Sequence, residues 1–247
     1  MIVDVHCHLT DKYFDDKLDK VIDRAKKNNI TNIISNGINL EDNKKILEIS
    51  KKYNIVKSSL GFYPDDIIKS TEEEIEENLE FIKKNKNKII AIGEVGLDLH
   101  NNFNLDKQKE IFLKIIELAE EIKKPLIIHS RKTEKECIEL VKNYNVKVLF
   151  HCFTGNFKLV KEIEKNNFMI SIPCNVVRSE HFQNIVKNFN LNQILTETDA
   201  PYLSPFNDKM NEPSFIVETI KIISKIKNLE KEEVEKIIFK NYLNFFK

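Results

Sequence analysis

Ile2-Val3-Asp4-Val5-His6-Cys7-His8 is the stretch on which the fold turns. The apolar run at its start reads as a short buried strand, and its two histidines, spaced two apart, face the same side of that strand. The pattern recurs along the chain. Glu94 follows Ile89-Ile90-Ala91-Ile92, His129 follows Leu126-Ile127-Ile128, His151 follows Val148-Leu149-Phe150, and Asp199 closes the run that begins Ile194-Leu195-Thr196. Metal-binding side chains repeated at the ends of buried strands describe a site assembled at one mouth of a barrel.

Working outward, apolar runs at 2–5, 31–35, 55–60, 89–93, 125–129, 147–151, 169–172 and 193–196 predict eight strands. Most are continuously apolar rather than alternating, as strands of a parallel sheet covered on both faces are. Helical patterns fill the intervals near 15–29, 41–53, 71–87, 106–123, 133–144, 157–166 and 180–189, with two more near 213–226 and 230–244. In 106–123, Ile111, Phe112, Ile115, Ile116, Ala119 and Ile122 share one face. Ser70-Thr71 before three glutamates reads as a helix start, with acids at the positive end of the dipole. Eight strands alternating with helices predict an α/β protein, a (β/α)8 TIM barrel, in one domain spanning 1–247. The competing doubly wound open sheet lacks support: no glycine-rich phosphate fingerprint follows the first strand. It would also separate the first strand from the last, which barrel closure makes neighbours.

Composition excludes several classes. There are 39 basic and 39 acidic residues, a net charge of zero, which argues against a protein that coats nucleic acid broadly. It is neutral about an enzyme whose bound metal ions supply positive charge locally. No stretch approaches the roughly 20 apolar residues of a membrane span. The histidine motif begins by residue 6, so no signal peptide is expected, and the expected location is cytoplasmic. Cys7, Cys137, Cys152 and Cys174 form no CxxC pair and are expected to be reduced. No obligate protein partner is evident.

Buried imidazoles and carboxylates are costly unless paired or coordinated. Four histidines (His6, His8, His129, His151) and two acids (Glu94, Asp199) exceed the needs of one tetrahedral ion. Two divalent ions sharing a carboxylate fit better. Glu94 is the expected bridge, with His6, His8 and Asp199 holding one ion and His129 and His151 the other. Such ions lower the pKa of a shared water, and the resulting hydroxide attacks an electrophile held between them. Imidazole richness suits Zn²⁺ or Mn²⁺, and phosphodiester chemistry allows Mg²⁺.

Five ordered motifs carry a family resemblance: Asp4-Val5-His6-Cys7-His8-Leu9, Ile92-Gly93-Glu94-Val95-Gly96-Leu97-Asp98, His129-Ser130-Arg131, His151-Cys152-Phe153-Thr154-Gly155 and Glu197-Thr198-Asp199-Ala200-Pro201-Tyr202-Leu203. Over nearly its full length the chain resembles the TatD-type metal-dependent deoxyribonucleases, a branch of the amidohydrolase-like barrels. The resemblance implies a TIM barrel, divalent metals, DNA as substrate and phosphodiester hydrolysis, with an exonuclease mode favoured. The family's metal-ligand positions fall on His6, His8, Glu94, His129, His151 and Asp199, and Glu94 and Asp199 are the expected catalytic carboxylates. Two positions depart from the pattern. Gly61-Phe62-Tyr63-Pro64 has tyrosine where the family commonly has histidine, and Met210 stands where relatives often place an arginine. A phenol, with an unperturbed pKa of about 10, is a poor proton shuttle near neutrality.

Arg131 and Tyr63 are the expected substrate contacts. Arg131 suits a bidentate phosphate clamp or a salt bridge orienting a ligand carboxylate. Asp98 suits either an outer partner of a metal-bound histidine or a loop anchor, and Phe62 and Tyr63 are placed to stack on bases. The alternative reading is an amidohydrolase-type enzyme acting on a small-molecule amide, ester or lactone. Many such enzymes bridge their metals with a carboxylated lysine after the fourth strand, where this chain has Glu94. A catalytically weak binding protein is a third reading, one with little need for six converging ligands.

Overall fold

In the computed structural model, which describes residues 1–100 and 104–247, the apolar runs become eight parallel strands. They are β1 (Ile2–Cys7), β2 (Ile30–Asn36), β3 (Val56–Phe62), β4 (Ile89–Asp98), β5 (Leu126–Arg131), β6 (Val148–Phe150), β7 (Met169–Ile172) and β8 (Ile194–Thr196), hydrogen-bonded in chain order. Around them lie α1 (Leu18–Lys27), α2 (Leu40–Lys52), α3 (Pro64–Lys69), α4 (Glu72–Lys84), α5 (Leu105–Ile122), α6 (Glu134–Val141), α7 (Phe157–Lys165), α8 (Glu180–Asn188), α9 (Ile216–Lys227) and α10 (Lys231–Phe246). This is the (β/α)8 barrel, a single domain.

The seam between β8 and β1 is closed largely by groups beyond regular strand pairing. Thr196 Oγ1 donates to the Val3 carbonyl at 2.8 Å. Past the end of β8, the Asp199 N–H donates to His6 O and the His8 N–H to Ala200 O, each at 2.8 Å. First and last strands are thereby locked together at the site end of the barrel.

Helix boundaries follow local chemistry. α4 begins with a complete capping box, Thr71 accepting from the Glu74 N–H while the Glu74 carboxylate accepts from the Thr71 N–H. The apolar face of α5 is buried throughout, including Ile111, Phe112, Ile115, Ile116, Ala119 and Ile122. α3 falls in the interval 61–70, which the hydrophobic periodicity left without a helix. Pro64 opens it with Asp65 and Asp66 in the first turn, both favourable there. Strand β4 runs past the expected 89–93 to Asp98, so Glu94 lies in mid-strand rather than at a strand end. Two glycines permit this. A Cβ on Gly61 would stand 2.4 Å from the Glu94 backbone nitrogen. One on Gly96, whose φ is +140°, would stand 2.0 Å from His129 O. Their absence of side chain lets β3 and β5 close on β4 where Glu94 and His129 must meet.

The four cysteines are free, with Cys7, Cys137 and Cys174 buried. No helix among the described residues is long and apolar enough to cross a membrane.

Candidate metal centre

His6 and His8 turn to the same interior, their Nε2 atoms 3.2 Å apart. Asp199 arrives from the loop three residues beyond β8, in the left-handed region at φ +57°, and its Oδ1 lies 3.5 Å from both nitrogens. Glu94 Oε2 lies 3.6 Å from His6 Nε2 and 3.4 Å from His8 Nε2. A tetrahedral ion bonded at about 2.0–2.1 Å would separate its ligand atoms by roughly 3.3–3.4 Å, so these atoms have the spacing of a ligand set. The other Glu94 oxygen, Oε1, belongs to a second cluster. It is 2.9 Å from His129 Nδ1 and 2.8 Å from His151 Nε2, and those nitrogens are 3.3 Å apart. One carboxylate thus faces a cluster with each oxygen, as expected of a bridge. The His6 ring is stacked on that of His151, their centroids 3.9 Å apart.

Hydrogen bonds fix which ring nitrogen His8 and His129 present. His8 Nδ1 donates to Asn36 O at 3.2 Å, leaving the Nε2 lone pair for the cluster. His129 is reversed: its Nε2 donates to Asp98 Oδ2 at 2.8 Å, so Nδ1 faces Glu94. Asp98 is itself held. Its Oδ1 accepts from the His100 N–H at 2.6 Å, its Oδ2 from the Tyr63 hydroxyl at 3.1 Å, and the Gln108 amide pairs with its backbone N–H and carbonyl. Of the two roles the sequence allows, Asp98 takes that of outer partner to His129.

The electrostatics favour positive charge here. Burial alone would raise the Glu94 carboxyl, but the imidazoles of His151, His6 and His129 outweigh it and hold it well below the usual carboxylate range. Asp199 is likewise lowered against its burial, by His8, His6 and His151. Burial opposes protonation of His8, yet Asp199 and Glu94 lift it to about 9. His129 is raised against its burial by Asp98 and Glu94. Burial and His151 lower His6. A cluster that keeps its acids ionised and draws protons onto His8 and His129 stabilises cations, and bound metal ions would meet the same demand. The buried Nδ1 atoms of His6 and His151 have no hydrogen-bond partner.

Two further acids support the cluster from behind, and sequence reasoning assigned them no role. Asp4 Oδ1 accepts from the Thr198 N–H at 2.9 Å and Oδ2 from the Thr198 hydroxyl at 2.5 Å, fixing the loop that carries Asp199. Burial pushes its carboxyl up to about 8 despite those bonds. Glu197 accepts from the Cys152 N–H at 2.9 Å and the Ser171 hydroxyl, and its Oε1 lies 3.8 Å from His151 Nδ1. The signal was an acid two residues before Asp199 within the same motif.

The cluster opens into a cavity of about 490 Å³ whose wall includes Arg131, Tyr63 and Tyr202. Arg131 is exposed on it. The Tyr63 hydroxyl is turned inward to Asp98 and lies 3.4 Å from His129 Nε2. Burial, with Glu94 and Asp98 nearby, raises the phenol far above its usual range, so it retains its proton. Phe62, expected as a stacking surface, is buried at the end of β3 and packs in the core instead. Met210 is exposed on the loop after β8.

A parallel barrel with imidazoles and carboxylates converging at its C-terminal mouth defines the metal-dependent barrel hydrolases. The chain belongs to the TatD related DNase family, whose model matches residues 3–247. It is 42% identical over 245 residues to an uncharacterized metal-dependent hydrolase of Methanocaldococcus jannaschii, covering 99% of this chain and 96% of that protein. It is 32% identical over 258 residues to the human deoxyribonuclease TATDN3, covering 99% and 94% respectively. Among solved structures, a TatD homologue from Escherichia coli superposes with a TM-score of 0.92 at 21% identity, over 99% of this chain and 97% of that one, which shows the shared fold. The protein is a metal-dependent hydrolase of this family.

Proposed function

We propose that this chain hydrolyses phosphodiester bonds of DNA, removing nucleotides from a strand end. The observation that carries the reading is Glu94, with one oxygen 3.4–3.6 Å from His6 and His8 and the other 2.8–2.9 Å from His129 and His151. In this assignment His6, His8, Asp199 and Glu94 hold one divalent ion, and Glu94, His129 and His151 hold a second. When bound, such ions supply Lewis acidity and make water a nucleophile near neutral pH.

The chain's own residues do the rest. The Arg131 guanidinium, exposed on the cavity wall, is suited to grip two phosphate oxygens and align the phosphorus with the cluster. Asp199, ionised and at the edge of the cavity, accepts the proton lost by water as the new P–O bond forms. It then returns that proton to the ester oxygen released as the old P–O bond breaks. Asp98 and Tyr63 hold the His129 ring still through this exchange, and Tyr63, keeping its proton, takes no part as acid or base.

The test is to reconstitute demetallated protein separately with Zn²⁺, Mn²⁺ and Mg²⁺. Each form is then incubated with end-labelled single- and double-stranded DNA and RNA and, in parallel, with small amide, ester and lactone substrates. A progressive ladder from one DNA end is expected. Turnover of an amide or lactone without DNA cleavage under any metal overturns the reading.

A further inference from the structure

The loop after β8 places Tyr202 at the cavity mouth with its ring in the open. The residue is 52% exposed, second only to Met1 among the large apolar residues described. It is nevertheless held. Its hydroxyl donates to Asp11 Oδ2 at 3.0 Å, and the other oxygen of Asp11 accepts from the Tyr13 N–H at 2.8 Å, so the anchor is itself tied to a helical turn. The Tyr202 N–H donates to the Asp199 carbonyl at 2.8 Å. The ring stands edge-to-face to His8, their centroids 6.2 Å apart. An aromatic ring that is pinned by its polar end, lines the cavity and remains half bare is a preorganised flat surface, with little side-chain freedom left to lose on binding.

We propose that Tyr202 is a nucleobase subsite. Its ring stacks on the base of the nucleotide whose phosphate lies at the Glu94 cluster, which selects strand ends whose terminal nucleotide is unpaired. This rests on the phosphodiester reading above. The spatial reasoning is direct. His8 contributes Nε2 to the cluster and also packs beside Tyr202, so a phosphate at the cluster puts its own nucleoside within reach of that ring. A cavity of about 490 Å³ is the size of a small-molecule pocket rather than a duplex groove. A terminal nucleotide that leaves the stack fits such a pocket and brings its phosphate to the floor, and the ring replaces the lost stacking. Every base has a π-face, so the subsite is tolerant of sequence. Tyr63 is the other tyrosine on the cavity wall, and its hydroxyl is committed inward to Asp98.

Two measurements test it on the intact, metal-reconstituted chain. In the first, thymidine 5′-monophosphate and 2-deoxyribose 5-phosphate are titrated calorimetrically into the parent, Tyr202→Phe and Tyr202→Ala. The nucleotide is expected to bind the parent about tenfold tighter than the sugar phosphate. That preference should survive in Tyr202→Phe, which keeps the ring, and vanish in Tyr202→Ala. Equal affinities in the parent, or a preference that persists in Tyr202→Ala, overturn the subsite. In the second, the three proteins cleave single strands ending in a normal nucleotide or in an abasic tetrahydrofuran unit. The loss of kcat/KM in Tyr202→Ala should be about tenfold larger on the normal end. Equal losses on both ends mark a purely structural role and overturn the proposal. Base-dependent binding without cleavage of any strand would uphold the subsite and reject the nuclease reading, so the two fail separately.

Discussion

On the β1 side of Glu94, His8 donates its outer ring N–H to a peptide carbonyl, that of Asn36, at 3.2 Å; on the β5 side, His129 donates to the Asp98 carboxylate at 2.8 Å. Negative charge is also distributed differently. The β1 cluster has Asp199 among its facing atoms, whereas the β5 cluster has Glu94 alone and receives its extra charge from behind, through Asp98 and, at 3.8 Å from His151, Glu197. A carboxylate behind an imidazole makes that imidazole a stronger donor without occupying a ligand position. In the two-ion assignment proposed above, the β5 side would offer three protein donors against four on the β1 side, which leaves it more room for water and substrate.

Glu94→Gln tests what the two sides share, and its effect should be the largest. Turnover is expected to fall by about a thousandfold, while elemental analysis shows no more than one ion per chain. A variant retaining two ions and full rate would leave the halves without a common member. Asp98→Asn should act on one side only. Removal of an outer carboxylate typically weakens metal binding by about 10–100-fold, so calorimetric titration with Zn²⁺ should show one binding event weakened and the other intact. Loss from both would mean that the two sides do not behave as separate sites.

Tyr63→Phe removes a single hydroxyl from Asp98. We expect the same binding event to weaken by roughly threefold to tenfold, the scale of one such hydrogen bond, with the KM for DNA unchanged. A raised KM with unaltered metal affinity would instead make Tyr63 the substrate contact expected from the sequence. The smallest effect belongs to Thr198→Val, the counterpart on the β1 side. It takes one donor from Asp4 and loosens the loop carrying Asp199, which should weaken the other binding event by roughly two- to threefold and leave the Asp98-dependent one alone.

Much of this is legible in the sequence. Strands covered on both sides tend to be continuously apolar, so most of β1 to β8 stood out, and residues two apart in β1 have to share a face. What periodicity could not supply was contact between segments distant in the chain. Asp98 lies 35 residues from Tyr63 and 31 from His129, and nothing local to either announces that they meet. Glu94 was found by type but misplaced within its strand, because the apolar run ends at Ile92 while the glycines at 61 and 96 let β4 continue to Asp98. Glu197 and Tyr202 sat in plain view inside the Glu197–Leu203 motif. Their significance depends on what lies across the barrel, Ser171 and Cys152 for one, Asp11 and His8 for the other.

The seam between β8 and β1 has a consequence for biosynthesis. A nascent chain that has emerged only through Ile172 carries seven strands with two bare edges, and such edges are templates for pairing with other chains. His6 and His8 are translated almost two hundred residues before Asp199 and the Ala200 carbonyl that fix their surroundings. Long-range closure of this kind is slow compared with local helix formation. Assembly of the His6, His8 and Asp199 cluster is thereby deferred until the loop after β8 has been made, and a product that stops short of it ends as an open sheet whose β1 histidines never meet their acidic counterpart.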